Sequence, residues 1–236
     1  MVLVLAVSDE VDDALRADAR AVRQVGRARL IVACGDLPFD YLGYLMNALD
    51  VPLVFVPGNH DPDISGYRTS RAGLTVRAGL PSQPPWPEGA VSAERRVVDV
   101  AGLRIAGLGG CRRYSDGPNQ YTERQQARRA RALCRRARWR EARDGRGVDV
   151  LLTHAPPEGA GDAEDPPHRG FRALNRLAAR LQPPWLLHGH VHPYGTVTRD
   201  HRLGRTVVRN VVGWHLLDIE PGASARTSLR GQAHVL

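Results

Sequence analysis

The stretch from Val51 to Asp61 constrains this chain more than any other. The apolar run Val51 to Val56 leads directly into Pro57-Gly58-Asn59-His60-Asp61. A short aliphatic run of this kind is a strand buried on both faces, and the polar residues after it start a loop. The same succession recurs along the chain. Val2 to Val7 leads into Ser8-Asp9, and Leu30 to Cys34 leads into Gly35-Asp36. Val148 to Leu152 leads into Thr153-His154, and Trp185 to Leu187 into His188-Gly189-His190-Val191-His192. Five strands that each end in carboxylate, amide or imidazole groups call for a sheet structure that gathers those ends. In open α/β sheets, sites form at the carboxyl ends of strands.

Helical patterns fall between the early strands. Asp12 can cap a helix from about Asp13 to Val25, and Phe39 to Leu49 turns Leu42, Leu45, Met46 and Leu49 inward. From Pro62 to about Ala93 the pattern dissolves. Pro84-Pro85-Trp86-Pro87 is incompatible with a helix interior or a central strand, so this stretch reads as a surface excursion. Arg96 to Val100 and Leu103 to Leu108, joined at Gly102, read as a hairpin. Glu123 to Arg143 reads as a long basic helix, its small and apolar positions spaced for one buried stripe and its arginines forming a solvated face. Phe171 to Leu181 is a further amphipathic helix. Thr206 to Val212 and Leu216 to Ile219 are the last strands, followed by a polar tail. Alternation early and hairpins later imply an α/β layered sandwich, one domain over 1–236.

Composition narrows the partners. All 33 basic residues are arginine, and the net charge is +8. That balance favours anionic partners, among which a small phosphoester, including a nucleotide, serves as well as nucleic acid; nucleic acid is admitted but not favoured. Three scattered cysteines with no Cys-x-x-Cys pair indicate neither a thiolate metal site nor a disulfide framework. No apolar run reaches membrane-spanning length and no signal segment is evident, so a cytoplasmic protein without membrane contact is expected. The oligomeric state leaves no mark in the sequence.

The residue types point to a metal. Asp9 and Asp36 are hard carboxylate ligands, Asn59 a neutral oxygen ligand, and His154, His190 and His192 imidazoles suited to Zn, Fe, Mn or Ni. Nitrogen and oxygen ligation without sulfur fits a catalytic centre better than a structural zinc. One or two divalent ions are expected. Asp36 could bridge a pair about 3.5–4 Å apart, which would clamp the attacking and leaving oxygens at phosphorus and provide hydroxide at neutral pH. His60 beside Asn59 could protonate the departing oxygen. Taken singly, each feature has an ordinary reading: Gly-Asp as a turn, a histidine after a strand as a satisfied polar group, Asp9 as a helix-start carboxylate. The ordered set of five is much harder to produce by accident.

Asp9, Gly35-Asp36, Gly58-Asn59-His60-Asp61, His154 and Gly189-His190-Val191-His192 together resemble the five blocks of the calcineurin-like metallophosphoesterase superfamily. Arg113-Tyr114 through Asn119-Gln120-Tyr121-Thr122 is similar to a bacterial subgroup of small members. The resemblance implies a four-layer α-β-β-α sandwich of two mixed sheets flanked by helices. It implies phosphoester hydrolysis, diesters somewhat ahead of monoesters, by in-line attack of metal-bound hydroxide with His60 as general acid. Asp9, Asp36 and His192 would hold one metal, and Asp36, Asn59, His154 and His190 the other. Arg113 and His168 are candidate substrate contacts, and Asp40 a candidate partner of His60 or a helix-start residue. One position departs from the pattern: the family's first block is Asp-x-His, and residue 11 here is Val. Alternation along a strand would turn Glu10 away from Asp9, and Asp12 serves as a cap, so neither is expected to replace the missing imidazole. The first metal site is therefore expected to be the weaker. An eroded, non-catalytic scaffold on the same fold is the alternative that Val11 keeps open.

Overall fold

The computed structural model describes residues 1–17, 19–70, 72, 74–193 and 200–222. Two sheets account for the apolar runs. In the first, the strands lie in the order Gly213–Ile219, Val2–Ser8, Leu30–Ala33, Leu53–Phe55, Val91–Ser92. All neighbours are parallel except Gly213–Ile219 against Val2–Ser8. In the second the order is Asp200–Leu203, Thr206–Asn210, Trp185–His188, Val150–Thr153, Leu103–Leu108, Val97–Val100. Its four inner strands are parallel and its two edges antiparallel.

Period-two alternation explains why the runs are apolar throughout. Val4, Ala6, Leu30, Val32 and Val54 meet Ile105, Val150, Leu152, Leu187 and Val207 in one buried cluster between the sheets. The alternate residues Leu5, Val7, Ile31, Ala33 and Phe55 face outward, against Leu15 of the Ala14–Ala17 helix and Tyr41, Leu42 and Leu45 of the Phe39–Leu49 helix. On the far side Ala106, Leu108, Leu151, Leu186 and Val208 face Leu133 and Ala137 of the Glu123–Asp144 helix and Leu174 and Leu177 of the Arg172–Leu181 helix. The layers are helix, sheet, sheet, helix, as the sequence implies. Truncating a side chain such as Leu152 in the inner layer would cost about 2–5 kcal/mol.

Local signals place the helices. Thr122 caps the Glu123–Asp144 helix in a reciprocal capping box with Gln125, and Gly145 ends it in the left-handed conformation. Asp12 Oδ1 accepts from the Ala14 N–H at 2.8 Å, as expected of a cap. The helix read over Asp13 to Val25 is two segments, Ala14–Ala17 and Ala19–Val25, with residue 18 outside the described residues.

The excursion from Pro62 to Ala93 has more order than its prolines suggest. Tyr67–Thr69, Thr75–Arg77 and Leu80–Pro81 form a small antiparallel sheet, and Val91–Ser92 adds an edge to the first large sheet. These strands are two or three residues long, too short for alternation to register. The polar edge strand Asp200–Leu203 also escapes the sequence pattern; it pairs with Thr206–Asn210 across a turn at Gly204. The polar tail beyond Gly222 lies outside the described residues.

Candidate metal centre

The parallel strands deliver their C-terminal ends to one edge of the sandwich, and three of the loops there begin with an unusual residue. Asp9, Asp36 and His190 all have positive φ, at 62°, 56° and 69°. The left-handed conformation costs an L-residue roughly 1 kcal/mol, and such strain gathers where a site must turn its side chains back across the strand ends. Two glycines make room. A Cβ on Gly58 would lie 2.0 Å from Asp36 Oδ1, and one on Gly189 would lie 2.1 Å from Asp9 Oδ2. The two motif glycines thus allow backbone to lie directly against the carboxylates.

At the centre is the buried ring of His154. Its Nδ1 donates to the Cys34 carbonyl at 2.7 Å, which joins the second sheet to the first. Its Nε2 faces Asn59 Oδ1 at 3.0 Å and Asp36 Oδ2 at 3.2 Å. Asp36, His154 and His190 each offer one ligand atom, all within 4.8 Å of one another. The Nε2 of His190 is held 2.8 Å from the Pro167 carbonyl. It acts as the donor there, so Nδ1 keeps the lone pair. The two rings lie 4.7 Å apart between centroids, their planes tilted at 57°. A carbonyl acceptor behind each imidazole is the arrangement that orients a metal-binding histidine.

Electrostatics describe a cluster waiting for positive charge. Burial alone would depress the His154 pKa. The Asp36 hydrogen bond, the charges of Asp36 and Asp9, and the Cys34 carbonyl outweigh it and lift the value to about 9. Burial would raise Asp36, yet the His154 contact and the His60 N–H bring it below its ordinary range. Burial raises Asp9. His190 falls to about 3, through burial and the neighbouring His154 charge. In the metal-free protein a proton on His154 thus balances the carboxylates.

Asp9 Oδ2 accepts from Ser8 Oγ at 2.5 Å and from the His190 N–H at 2.9 Å. Among the described residues, Asp9 and His192 lie outside the 4.8 Å group. His192 Nδ1 pairs with Glu10 Oε1 at 2.9 Å. Glu10 therefore does reach the site edge, contrary to the alternation argument, because the left-handed turn at Asp9 ends the strand geometry on which alternation depends. Val11 is 40% exposed. His60 is exposed at the rim, and its N–H donates to Asp36 Oδ1 at 2.8 Å. Arg113 is exposed and its guanidinium reaches the Gln120 carbonyl at 3.5 Å. His168 pairs with Asp165 at 2.7 Å, and its ring lies 5.3 Å from that of His190. Asp40 approaches Arg16 at 4.0 Å and makes no cap hydrogen bond.

Three further residues support the ligand loops, a role that their place in the sequence does not reveal. Asp61 Oδ2 accepts from the Gly58 N–H at 2.7 Å and the Asp36 N–H at 3.0 Å, so it braces two ligand loops. Asn119 donates to the Gly58 and Asp61 carbonyls at 2.9 and 3.1 Å. Tyr114 Oη accepts from Asn59 Nδ2 at 3.2 Å and so turns Asn59 Oδ1 toward His154. Asp61 belongs to the Gly58-Asn59-His60-Asp61 block, whereas Tyr114 and Asn119 come from the segment similar to the bacterial subgroup, some sixty residues away, where no local signal tells which ligand loop they support.

Two facing mixed sheets with a nitrogen and oxygen donor cluster at their strand ends define the architecture of the metal-dependent phosphoesterases. The family model for calcineurin-like phosphoesterases matches residues 4–194, and the chain belongs to that family. Two crystal structures share the fold. One has 15% identity and a TM-score of 0.59, covering 94% of this chain and 99% of that one. The other, TT1561 of Thermus thermophilus, has 17% identity and a TM-score of 0.57, covering 95% and 99%. No curated protein matches. Family and donor set agree on metal-dependent hydrolysis of phosphoesters as the class of activity. Among the described residues, no helix is long and apolar enough to cross a membrane.

Proposed function

We propose that residues 1–236 form one catalytic domain that hydrolyses phosphoesters, diesters ahead of monoesters. The observation behind this reading is the convergence of Asp36, Asn59 and His190 on the buried His154 ring, with a carbonyl acceptor fixing each imidazole. In it, Asp36, Asn59, His154 and His190 hold one divalent cation, and Asp9, Asp36 and His192 hold a second more weakly. Manganese, iron, zinc and nickel all suit these donors. A divalent cation polarises the phosphoryl oxygen and makes water nucleophilic near neutral pH.

The chain's own groups do the rest. Asp61 and Asn119 hold the Gly58–Asp61 loop, and Asp36 Oδ1 fixes the His60 backbone. His60, exposed at the rim, donates a proton to the departing ester oxygen. Arg113, next in sequence to Tyr114, and His168, whose ring lies 5.3 Å from that of His190, supply phosphate contacts. His60, Tyr114 and His192 are exposed or nearly so. An open rim of this kind accommodates both ester arms of a diester.

The weaker first site follows from Val11 and from the engagement of His192 with Glu10. The same pair favours a second reading, a catalytically feeble member that serves as a metal-binding scaffold. One experiment separates them. Purified protein is analysed for metals, stripped, and assayed on bis-p-nitrophenyl phosphate and p-nitrophenyl phosphate with Mn, Fe, Zn, Ni and Mg added singly. Turnover restored by one of these metals and abolished by Asp36→Asn supports the hydrolase. Metal binding without turnover of either ester supports the scaffold.

A further inference from the structure

The Glu123–Asp144 helix carries nine arginines and three acids. Two of the acids are engaged elsewhere: Glu123 accepts from the Ala173 N–H at 2.8 Å, and Asp144 pairs with Arg104 at 2.7 Å. Arg124, Arg128, Arg131, Arg135 and Arg138 are all exposed. Among the described residues, none of the five has a carboxylate partner. Their spacing of four, three, four and three residues places them in one row along the helix. The row is ~21 Å long, with a cation about every 5 Å. Like charges at these spacings oppose each other and destabilise a helix, and the core stripe on the opposite face requires none of them.

At the end of the row stands Trp139, 64% exposed. It lines a groove of about 500 Å³ between the helix and the Val97–Val100 strand, and Arg143 lies over its ring at 5.6 Å. The helix has already spent its apolar face on the core, which leaves Trp139 alone on the outer surface.

We propose that this face binds single-stranded nucleic acid. The arginine row tracks successive phosphates and Trp139 stacks an unpaired base. A regular row of cations matches a regular row of anions, and an exposed ring beside a groove receives a base that no duplex would offer. A membrane surface is disfavoured, because interfacial helices insert a continuous apolar face and this one has a single tryptophan to give. The proposal is independent of phosphoester hydrolysis.

The test uses the full chain in EDTA at low salt with a fluorescent oligothymidylate, followed by anisotropy. Binding is expected, weakening steeply with salt. Arg128, Arg131 and Arg135 changed together to Gln should reduce the slope of log K against log salt by about 2, from ~0.7 per phosphate contact. The same three changed to Lys should keep the slope. Trp139→Ala should weaken binding about tenfold and leave the slope unchanged. All four positions are exposed, and circular dichroism checks that the variants fold. The proposal is overturned by no binding at low salt, or by a tryptophan variant that binds as the parent does. It is equally overturned if the matched duplex, polyglutamate or phosphatidylserine vesicles bind as tightly as the single strand.

Discussion

His154 Nε2 lies 3.2 Å from Asp36 Oδ2, and the opposite nitrogen of the same ring is held by the Cys34 carbonyl. With both nitrogens facing acceptors, the ring keeps its proton up to about pH 9 when no cation is present. A cation that binds between Asp36 and His154 must displace that proton.

Metal uptake should therefore release close to one proton per ion at this centre. Below about pH 9, apparent affinity should fall about tenfold for each unit of pH lost. Calorimetric titration in buffers of differing ionisation enthalpy measures the release directly. Affinity that does not change between pH 7 and 8.5 would contradict the charge balance drawn for this site.

His60→Ala should reduce turnover of an alkyl ester, whose leaving group needs a proton, by about 10²-fold. A nitrophenyl ester, whose leaving group does not, should lose far less. Equal loss on both would remove His60 from proton donation and make it a binding residue.

Asp61→Ala removes the acceptor shared by the Gly58 and Asp36 N–H groups. Buried donors left unpaired cost about 1–3 kcal/mol each, so urea denaturation of metal-free protein should show a loss of about 3 kcal/mol. A loss below about 1 kcal/mol would mean that solvent replaces the brace.

The stability of the metal-free protein should fall on both sides of neutrality. Burial holds His188 at about 4 and His190 at about 3. The unfolded chain takes up protons at these histidines near pH 6.5 while the folded chain does not, so their stabilisation is complete above 6.5 and is lost progressively as pH falls from there to about 4 for His188 and about 3 for His190. His154 works in the opposite sense: its contribution is complete below 6.5 and is lost as pH rises through about 9. His188→Asn should flatten the acid limb and leave the alkaline limb unchanged, as read from denaturation midpoints across pH. An unaltered acid limb would exclude His188 as its source.

Tyr114→Phe frees the Asn59 amide to rotate, since Tyr114 Oη is the acceptor that turns Asn59 Oδ1 toward His154. Metal affinity should fall about tenfold, the usual scale for losing a partner behind a ligand. Tyr114 is exposed, so thermal stability without metal should hardly move. Unchanged affinity would show that Asn59 is oriented by other means.

The sequence by itself determined the two-sheet sandwich and the chain positions that meet at its edge. Strands buried on both faces must be apolar at every residue, so Val2–Ser8, Leu30–Ala33 and Val150–Thr153 appear as unbroken runs, and the polar residues that end them stand out. Edge strands solvated on one side leave no such mark, which is why Asp200–Leu203 and the short pairs between Tyr67 and Pro81 emerged only in three dimensions. Tertiary structure alone decided the partners: Glu10 beside His192, Tyr114 behind Asn59, the Cys34 carbonyl behind His154. Each joins loops far apart in the chain, or depends on a left-handed turn at Asp9 that reverses local alternation. Periodicity reports which face a residue occupies within its own element, and no local pattern encodes what a folded chain brings up against that face.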